Sequence, residues 1–218
     1  MLHYLQELFH SLNFASMQDT LLQAVAVLVC LTVHETSHGL AAYALGDPTA
    51  RSRKRLSLNP LRHIDWFGFA MMFFAGFGWA KPVPVDPRYF KNPRYGMAIT
   101  ALAGPVSNFL LAILLLFGCK VIELYAPYTA MYDTLYFLLA QTAVLSVGLG
   151  LFNLLPIPPL DGSKVAAVLL PERAYFTLMR YERYGIILLL FLSVTDIGGG
   201  VISRAISVVF NAMVNLVF

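Results

Sequence analysis

The sequence predicts an all-α protein that crosses a membrane several times. Of its 218 residues, 58% are hydrophobic and 12% are charged, and the mean hydropathy is +0.69. Soluble domains contain about 45–50% apolar and about 25% charged residues, so a soluble core cannot absorb this excess. Three apolar runs, residues 20–45, 95–121 and 134–155, are each long enough to cross a hydrocarbon core of about 30 Å as a helix.

Neither the charge nor the cysteines indicate a nucleic-acid-binding or a disulfide-stabilised protein. The net charge of +3 needs no nucleic acid to explain it. Cys30 and Cys119 both lie inside apolar runs, where cysteines more often pack against their neighbours than form a disulfide. The opening residues have no basic n-region and no small-residue cleavage site, so we expect no cleavable signal peptide. The sequence carries no signal for an oligomeric state.

The first part of the chain reads as a surface helix, a span and a basic loop. Residues 1–19 have apolar side chains at helical spacing among polar ones, which predicts an amphipathic helix on the membrane surface or on the protein. The first span, residues 20–45, ends at the sequence GDP, which stops a helix. Basic residues 51–55 indicate a cytoplasmic loop, and residues 55–61 alternate in the manner of a short strand.

A short apolar stretch and a proline-rich segment come next. Residues 66–79 are too few for a span and are typical of a re-entrant or interfacial segment. Basic loops on both sides agree with a segment that dips into the membrane and returns. Residues 81–87 have three prolines at alternate positions, which exclude a helix and favour an extended chain.

The second half contains two more spans and an apolar end. Gly104-Pro105 should kink or open the second span, residues 95–121. The third span, residues 134–155, runs back and ends in a proline-rich break. Residues 185–218 are apolar but interrupted by the sequence DIGGG, so two short helices or one broken span would both fit.

The sequence HETSH, residues 34–38, lies near the end of the first span and reads H-E-x-x-H. On a helix, His34 and His38 lie about 40° apart around the axis and about 6 Å apart along it. Two such imidazoles can bind one zinc ion, and Glu35 is placed to act as a base on a water molecule at the metal. Two helical histidines satisfied by hydrogen bonds are the simpler alternative.

A catalytic zinc needs a third protein ligand, and Asp161 is the strongest candidate. It closes the proline-rich break after the third span, and ionisable groups near a membrane are usually functional. The charge pattern places His34, His38 and Asp161 at the cytoplasmic ends of their spans, and therefore at similar depth. In a different type of membrane zinc peptidase, a later glutamate, Glu172 or Glu182, would be the ligand.

Three motifs together resemble the site-2 protease family of intramembrane zinc metalloproteases (peptidase family M50). They are HETSH, GPVSN at residues 104–108, and NLLPIPPLDG at residues 153–162. The resemblance covers about residues 20–170 and fits the compact members that lack PDZ and CBS domains. It implies one Zn²⁺ per chain, with metal ligands His34, His38 and Asp161 and catalytic residues Glu35 and Asn153. Asn153 would act on the substrate or the developing oxyanion; a helix-terminal cap is its alternative role.

We therefore expect a single membrane-embedded metalloprotease domain over residues 1–218. Its parts would be an amphipathic segment (1–19), a catalytic core (20–170) and C-terminal helices (171–218). The core would contain three helices and a short membrane-associated β/re-entrant region. The protein would lie in a prokaryotic cell membrane, with its active site towards the cytoplasmic side.

The expected partners are the lipid bilayer and a transmembrane protein or peptide substrate, cleaved in or near its membrane segment. A helix hides its peptide bonds in hydrogen bonds, so the substrate must unwind before cleavage. Residues 81–87 or 55–61 could then pair with it by strand addition. The rival class is a non-catalytic membrane protein, either a metal transporter or a pseudoprotease that binds helices. Transporters usually have polar groups along a path or repeated halves, and the sequence has neither.

Overall fold

The computed structural model describes residues 17–68, 80–127, 129–171, 174, 177 and 196–218. The helices in these residues are α1 (Met17–Ala44), α2 (Thr49–Ser52), α3 (Pro93–Tyr125), α4 (Ala130–Asn153), α5 (Asp161–Ala167) and α6 (Asp196–Val217). Two short 3₁₀ turns, Pro60–Arg62 and Pro87–Tyr89, lie between α2 and α3.

Among the described residues, four helical stretches are long and apolar enough to cross a membrane. They are Thr20–Ala44, Pro93–Tyr125, Met131–Asn153 and Gly200–Val217. They confirm the predicted all-α, multi-pass fold and the three predicted spans, and they add a fourth helix of sufficient length in the C-terminal region. The protein is therefore an integral membrane protein.

Helix α3 lies at the centre of the described helices and packs against α1, α4, α5 and α6. Small side chains at the contacts let the helix backbones approach closely, as is usual in membranes. The buried small residues of α1, α3 and α4 include Ala26, Cys30, Ala98, Ala101, Ala112, Ala140 and Ala143. Large apolar side chains of α3 such as Leu110, Leu114 and Val121 are exposed, as lipid-facing residues should be. Both cysteines are free and buried, as predicted.

The end of α1 is fixed by a glycine and a buried aspartate. Gly46 has a φ of 102°, the left-handed conformation that commonly ends a helix. The fully buried Asp47 then binds two different segments with its two carboxylate oxygens. Oδ1 accepts from the backbone N–H of Thr49 over 2.9 Å, and Oδ2 accepts from the N–H of Asp86 over 2.7 Å. Residues 81–86 are thereby tied to α1.

The strand suggested by the alternation of residues 55–61 does not form. Oδ1 of Asn59 accepts from the N–H of Leu61 over 3.0 Å and begins a 3₁₀ turn at Pro60. The carbonyl of Ser57 accepts from side chains rather than from another strand. Local side-chain bonding has therefore replaced strand pairing.

The predicted β/re-entrant region remains unconfirmed. Within the described residues, β pairing is limited to an isolated antiparallel bridge between Ile64 and Ala80. The predicted re-entrant stretch, residues 66–79, lies outside the described residues except for 66–68, which are helical. The predicted non-helical stretch, residues 81–87, is non-helical over 81–86, and its last residue, Pro87, begins a 3₁₀ turn.

Other boundaries differ from the predictions in informative ways. Helix α3 continues through Pro105, so the Gly-Pro pair does not open it; neighbouring helices can compensate for the missing hydrogen bond. The sequence DIGGG forms the first turns of α6, and the preceding part of the predicted apolar end, residues 185–195, lies outside the described residues. Of the predicted N-terminal amphipathic segment, only residues 17–19 are described, and they begin α1.

Candidate active site

The two histidines of the H-E-x-x-H motif and Asp161 meet at one point in the protein. Nε2 of His34 and Nε2 of His38 each lie 3.1 Å from Oδ2 of Asp161. The three potential ligand atoms all lie within 4.8 Å of one another, and all three residues are buried. Residues 127 positions apart in the chain thus form one cluster, as the sequence predicted.

The rings of His34 and His38 have centroids 4.5 Å apart and an interplanar angle of 89°. Gly104 of α3 passes directly beside them. A Cβ atom at this position would lie 2.5 Å from Cε1 of His38 and 2.6 Å from Cε1 of His34. Glycine is therefore what allows α3 to approach the imidazoles so closely.

Asp161 is the first residue of the short helix α5. The turn that precedes it passes over the end of α4. A Cβ atom at the next residue, Gly162, would lie 2.1 Å from the carbonyl oxygen of Leu154. The sequence LDG thus brings an aspartate to the histidines because the glycine lets two backbone segments touch.

Each member of the cluster has a further polar contact. Nδ1 of His38 lies 2.7 Å from the backbone carbonyl of Thr100. Nδ1 of His34 lies 3.3 Å from the amide nitrogen of Asn108. Nζ of Lys164 lies 3.8 Å from Oδ1 of Asp161, so the other oxygen of that carboxylate, Oδ2, is the one that faces the histidines.

The environment of Asp161 favours the charged carboxylate. Burial alone would raise its pKa, but hydrogen bonds from His34 and His38 hold the pKa well below its usual range. A carboxyl group must be ionised to bind a metal well, and this lowering of the pKa favours the ionised form.

The donor set fits zinc. Two imidazole nitrogens and one carboxylate oxygen form a usual set of ligands for a catalytic zinc, which leaves a fourth position open. Ligand atoms about 2.0–2.2 Å from a tetrahedral zinc lie about 3.3 Å from one another, close to the two 3.1 Å distances observed. Within the described residues, no other group of three histidine, cysteine or acidic side chains comes together in this way.

A cavity of about 350 Å³ opens beside the cluster. Besides the three candidate ligands, its walls include Glu35, Asn153, Lys164 and part of the segment 81–86. Oε2 of Glu35 accepts a hydrogen bond from the backbone N–H of Val83 over 2.7 Å. The candidate base and the proline-rich segment therefore share one wall.

Asn153 lines the same cavity as the last residue of α4. Its Nδ2 donates to the carbonyl of Leu149 over 2.9 Å, which matches the alternative role at a helix end. An amide nitrogen has two hydrogens, so this bond leaves one hydrogen for a second acceptor.

Another histidine, His63, is not part of this cluster. His63 is buried, and its Nε2 lies 2.7 Å from the carbonyl of Ser57, which is a structural contact. Glu172 and Glu182, the alternative third ligands, lie outside the described residues. The contacts made by Asn108 and by the carbonyl of Thr100 were not predicted; the only sequence signal was the position of Asn108 in GPVSN, one turn after Gly104.

A helical membrane protein that gathers H-E-x-x-H, a buried carboxylate as third ligand and a cavity has the features of a membrane-embedded metallopeptidase. Comparison with known families agrees. The model of peptidase family M50 matches residues 22–131 and 119–194, which together make up most of the chain. This chain belongs to peptidase family M50, the site-2 protease family.

Curated relatives carry corresponding names. The chain is 40% identical over 183 residues to "Putative zinc metalloprotease YwhC" of Bacillus subtilis (strain 168), a match covering 82% of each chain. It is 30% identical over 171 residues to "Putative zinc metalloprotease Rip2" of Mycobacterium tuberculosis (strain H37Rv), covering 76% of this chain and 63% of the relative. No solved structure matches the chain significantly.

Proposed function

We propose that this protein is an intramembrane zinc protease that hydrolyses peptide bonds in or near the transmembrane segments of membrane proteins. The observation that carries the proposal is the meeting of Asp161 with His34 and His38 in the wall of a cavity that also holds Glu35. A structural pair of histidines would need neither the third ligand nor the cavity.

In this proposal, one Zn²⁺ is held by His34, His38 and Asp161. Zinc supplies Lewis-acid chemistry: it polarises a carbonyl and lowers the pKa of water. Glu35 takes the proton of the attacking water and later passes it to the leaving amine, as a general base and then a general acid. The Val83 N–H holds one oxygen of Glu35, and the other is available for this proton.

Asn153 would stabilise the developing oxyanion. Its free amide hydrogen can donate to the oxygen of the scissile carbonyl, a type of contact worth roughly 3–4 kcal/mol when well placed. Its bond to Leu149 would hold the amide in one orientation, so the alternative role at the helix end supports the catalytic one.

The substrate would enter as an unwound transmembrane segment. The segment 81–86 is non-helical, and Pro82, Val83 and Val85 line the cavity, so the scissile chain could pair with it as an added strand. This pairing would replace some of the backbone hydrogen bonds that the substrate helix loses on unwinding.

We also propose on which side of the membrane the active site lies and which residues form the protease domain. The basic loop at residues 51–55 favours a cytoplasmic position for the adjoining end of α1, and therefore for the active site. We keep residues 1–218 as a single membrane-embedded protease domain, with residues 20–170 as its catalytic core.

Zinc content is the first test. Zinc per chain should be measured in detergent for the wild type, His34→Ala, Asp161→Ala and Glu35→Gln. We expect one zinc in the wild type and in Glu35→Gln, and almost none in the two ligand variants. Ser37→Ala is the matched control, because its hydroxyl donates only within α1, to the Val33 carbonyl. Zinc retained by Asp161→Ala would move the third ligand to Glu172 or Glu182.

Cleavage is the second test. The wild type should cut a single-span helical substrate, and Glu35→Gln should be slower by about 10²–10⁴-fold, the usual contribution of general acid–base catalysis. Robust cleavage by Glu35→Gln would overturn the mechanism. Zinc binding without cleavage by the wild type would instead favour a metal transporter or a helix-binding pseudoprotease.

A further inference from the structure

The two histidines differ in the partner of the ring nitrogen that faces away from Asp161. Nδ1 of His38 lies 2.7 Å from the carbonyl of Thr100. A carbonyl can only accept, so this Nδ1 carries a proton, and Nε2 of the neutral ring would have its lone pair free for a metal. In His34, Nδ1 faces the side-chain amide of Asn108 instead, at 3.3 Å from Nδ2.

An amide nitrogen is the wrong partner for a zinc-binding His34. If Nε2 binds the metal, Nδ1 must carry the proton of the neutral ring and needs an acceptor. Nδ2 of Asn108 is itself a donor, so two N–H groups would face each other. Meanwhile Oδ1 of Asn108 is buried and has no hydrogen-bond partner among the described residues, although a buried unpaired acceptor is costly.

We propose that Asn108 is a positioning residue for His34: its Oδ1 accepts the Nδ1 proton and so keeps Nε2 of His34 as the metal-binding atom. The two ends of a carboxamide have nearly the same shape, so a rotation of 180° exchanges them within the same space. The rotation turns a contact between donors into a hydrogen bond and gives Oδ1 a partner. The inference rests on the assignment of His34 as a zinc ligand in the proposed function.

The surroundings hold Asn108 firmly enough for this role. Asn108 is completely buried in α3, one turn after the glycine that touches both imidazoles. The hydroxyl of Ser146 in α4 donates to the backbone carbonyl of Asn108 over 2.8 Å. Helices α3 and α4 are thus joined at the residue from which the amide reaches His34.

The test compares Asn108→Asp with Asn108→Leu, using zinc affinity measured by competition with a chromophoric chelator in detergent. Leucine has a similar volume but no acceptor, and we expect a loss of roughly 10–100-fold, the usual effect of removing a ligand's supporting residue. Aspartate can only accept when ionised, so Asn108→Asp should keep an affinity close to the wild type. Ser107→Ala is the control, because its hydroxyl donates within α3, to the carbonyl of Gly104, and it should bind zinc like the wild type.

The outcomes separate this inference from the proposed function. Wild-type affinity in Asn108→Leu, with zinc lost in His34→Ala, would overturn the role of Asn108 alone. Equal losses in Asn108→Asp and Asn108→Leu would also overturn it, because an acceptor at this position would then not be what supports His34. Wild-type affinity in His34→Ala would overturn both proposals.

Discussion

The backbone N–H of Val83 donates to Oε2 of Glu35 over 2.7 Å. Val83 stands between two prolines, which have no N–H of their own, so it supplies the donor at this point of the segment. The bond couples the direction of the proposed catalytic base to the position of residues 81–86. Whatever holds that segment in place therefore also positions Glu35.

Asp47 is the residue that holds it, so Asp47→Asn should reduce catalysis without removing zinc. Its carboxylate bridges the N–H groups of Thr49 and Asp86. An amide has only one acceptor oxygen, so one partly buried N–H would lose its partner, at a cost of about 1 kcal/mol in the free energy of unfolding. We expect a lower unfolding temperature, slower cleavage and one zinc per chain, all measured in detergent.

Asp86→Asn is the matched control for this variant. Hydrogen bonds from the neighbouring Arg88 lower the pKa of Asp86 to about 2, so this side chain is ionised at neutral pH. It pairs with Arg88 over 2.6 Å at the surface, where such pairs contribute little. Equal effects of the two substitutions would contradict the special role of Asp47.

The parts of the site that the sequence predicted are those set by local geometry. His34 and His38 share a helix face because of their spacing alone. Asp161 was predicted to join the two histidines because the charge pattern indicates the orientation of each span. These orientations place the cytoplasmic ends of distant spans at the same depth. Span lengths followed from the lengths of the apolar runs, and all three predicted spans are present.

The contacts that were not predicted depend on how one helix is rotated against another. Nothing in the spacing of GPVSN says that Asn108 reaches His34, or that the carbonyl of Thr100 reaches His38. The strand suggested by the alternation at residues 55–61 is absent for a different reason. Polar and apolar residues do alternate there. However, Oδ1 of Asn59 accepts from the N–H of Leu61 and begins a 3₁₀ turn, and this local hydrogen bond replaces strand pairing.

Val85→Pro should slow cleavage if the substrate pairs with residues 81–86. The N–H groups of Lys81, Val83 and Asp86 already have acceptors, which leaves Val85 as the donor for an added strand. Proline removes that donor while keeping an extended backbone. Cleavage should fall, with zinc content unchanged. Val85→Ala keeps the N–H and should cleave faster than Val85→Pro; equal rates would argue against strand addition.

Arg94→Met should loosen α5 and weaken zinc binding. The guanidinium donates to the carbonyls of Ala167 and Val168, over 2.8 and 2.6 Å, at the end of α5. A cation there binds the free carbonyls of the helix end, and hydrogen bonds to charged groups contribute about 1.5–3 kcal/mol. Because α5 begins with Asp161, we expect lower thermal stability and lower zinc affinity by chelator competition. Arg88→Met, at an exposed ion pair, should change neither.

Gly104→Ala should abolish zinc binding, whereas Gly118→Ala in the same helix should not. At Gly104 the new methyl group would lie 2.5–2.6 Å from atoms of both imidazoles. His38 is held by the Thr100 carbonyl and cannot turn away without losing that bond. At Gly118 the methyl group would meet only the flexible end of Leu139, at 3.2 Å, and alanine favours a helix over glycine by about 1 kcal/mol. Zinc per chain and thermal unfolding should therefore separate the two variants: Gly118→Ala folds as well as the wild type and carries one zinc, and Gly104→Ala carries almost none. Full zinc content in Gly104→Ala would mean that α3 does not touch the metal ligands.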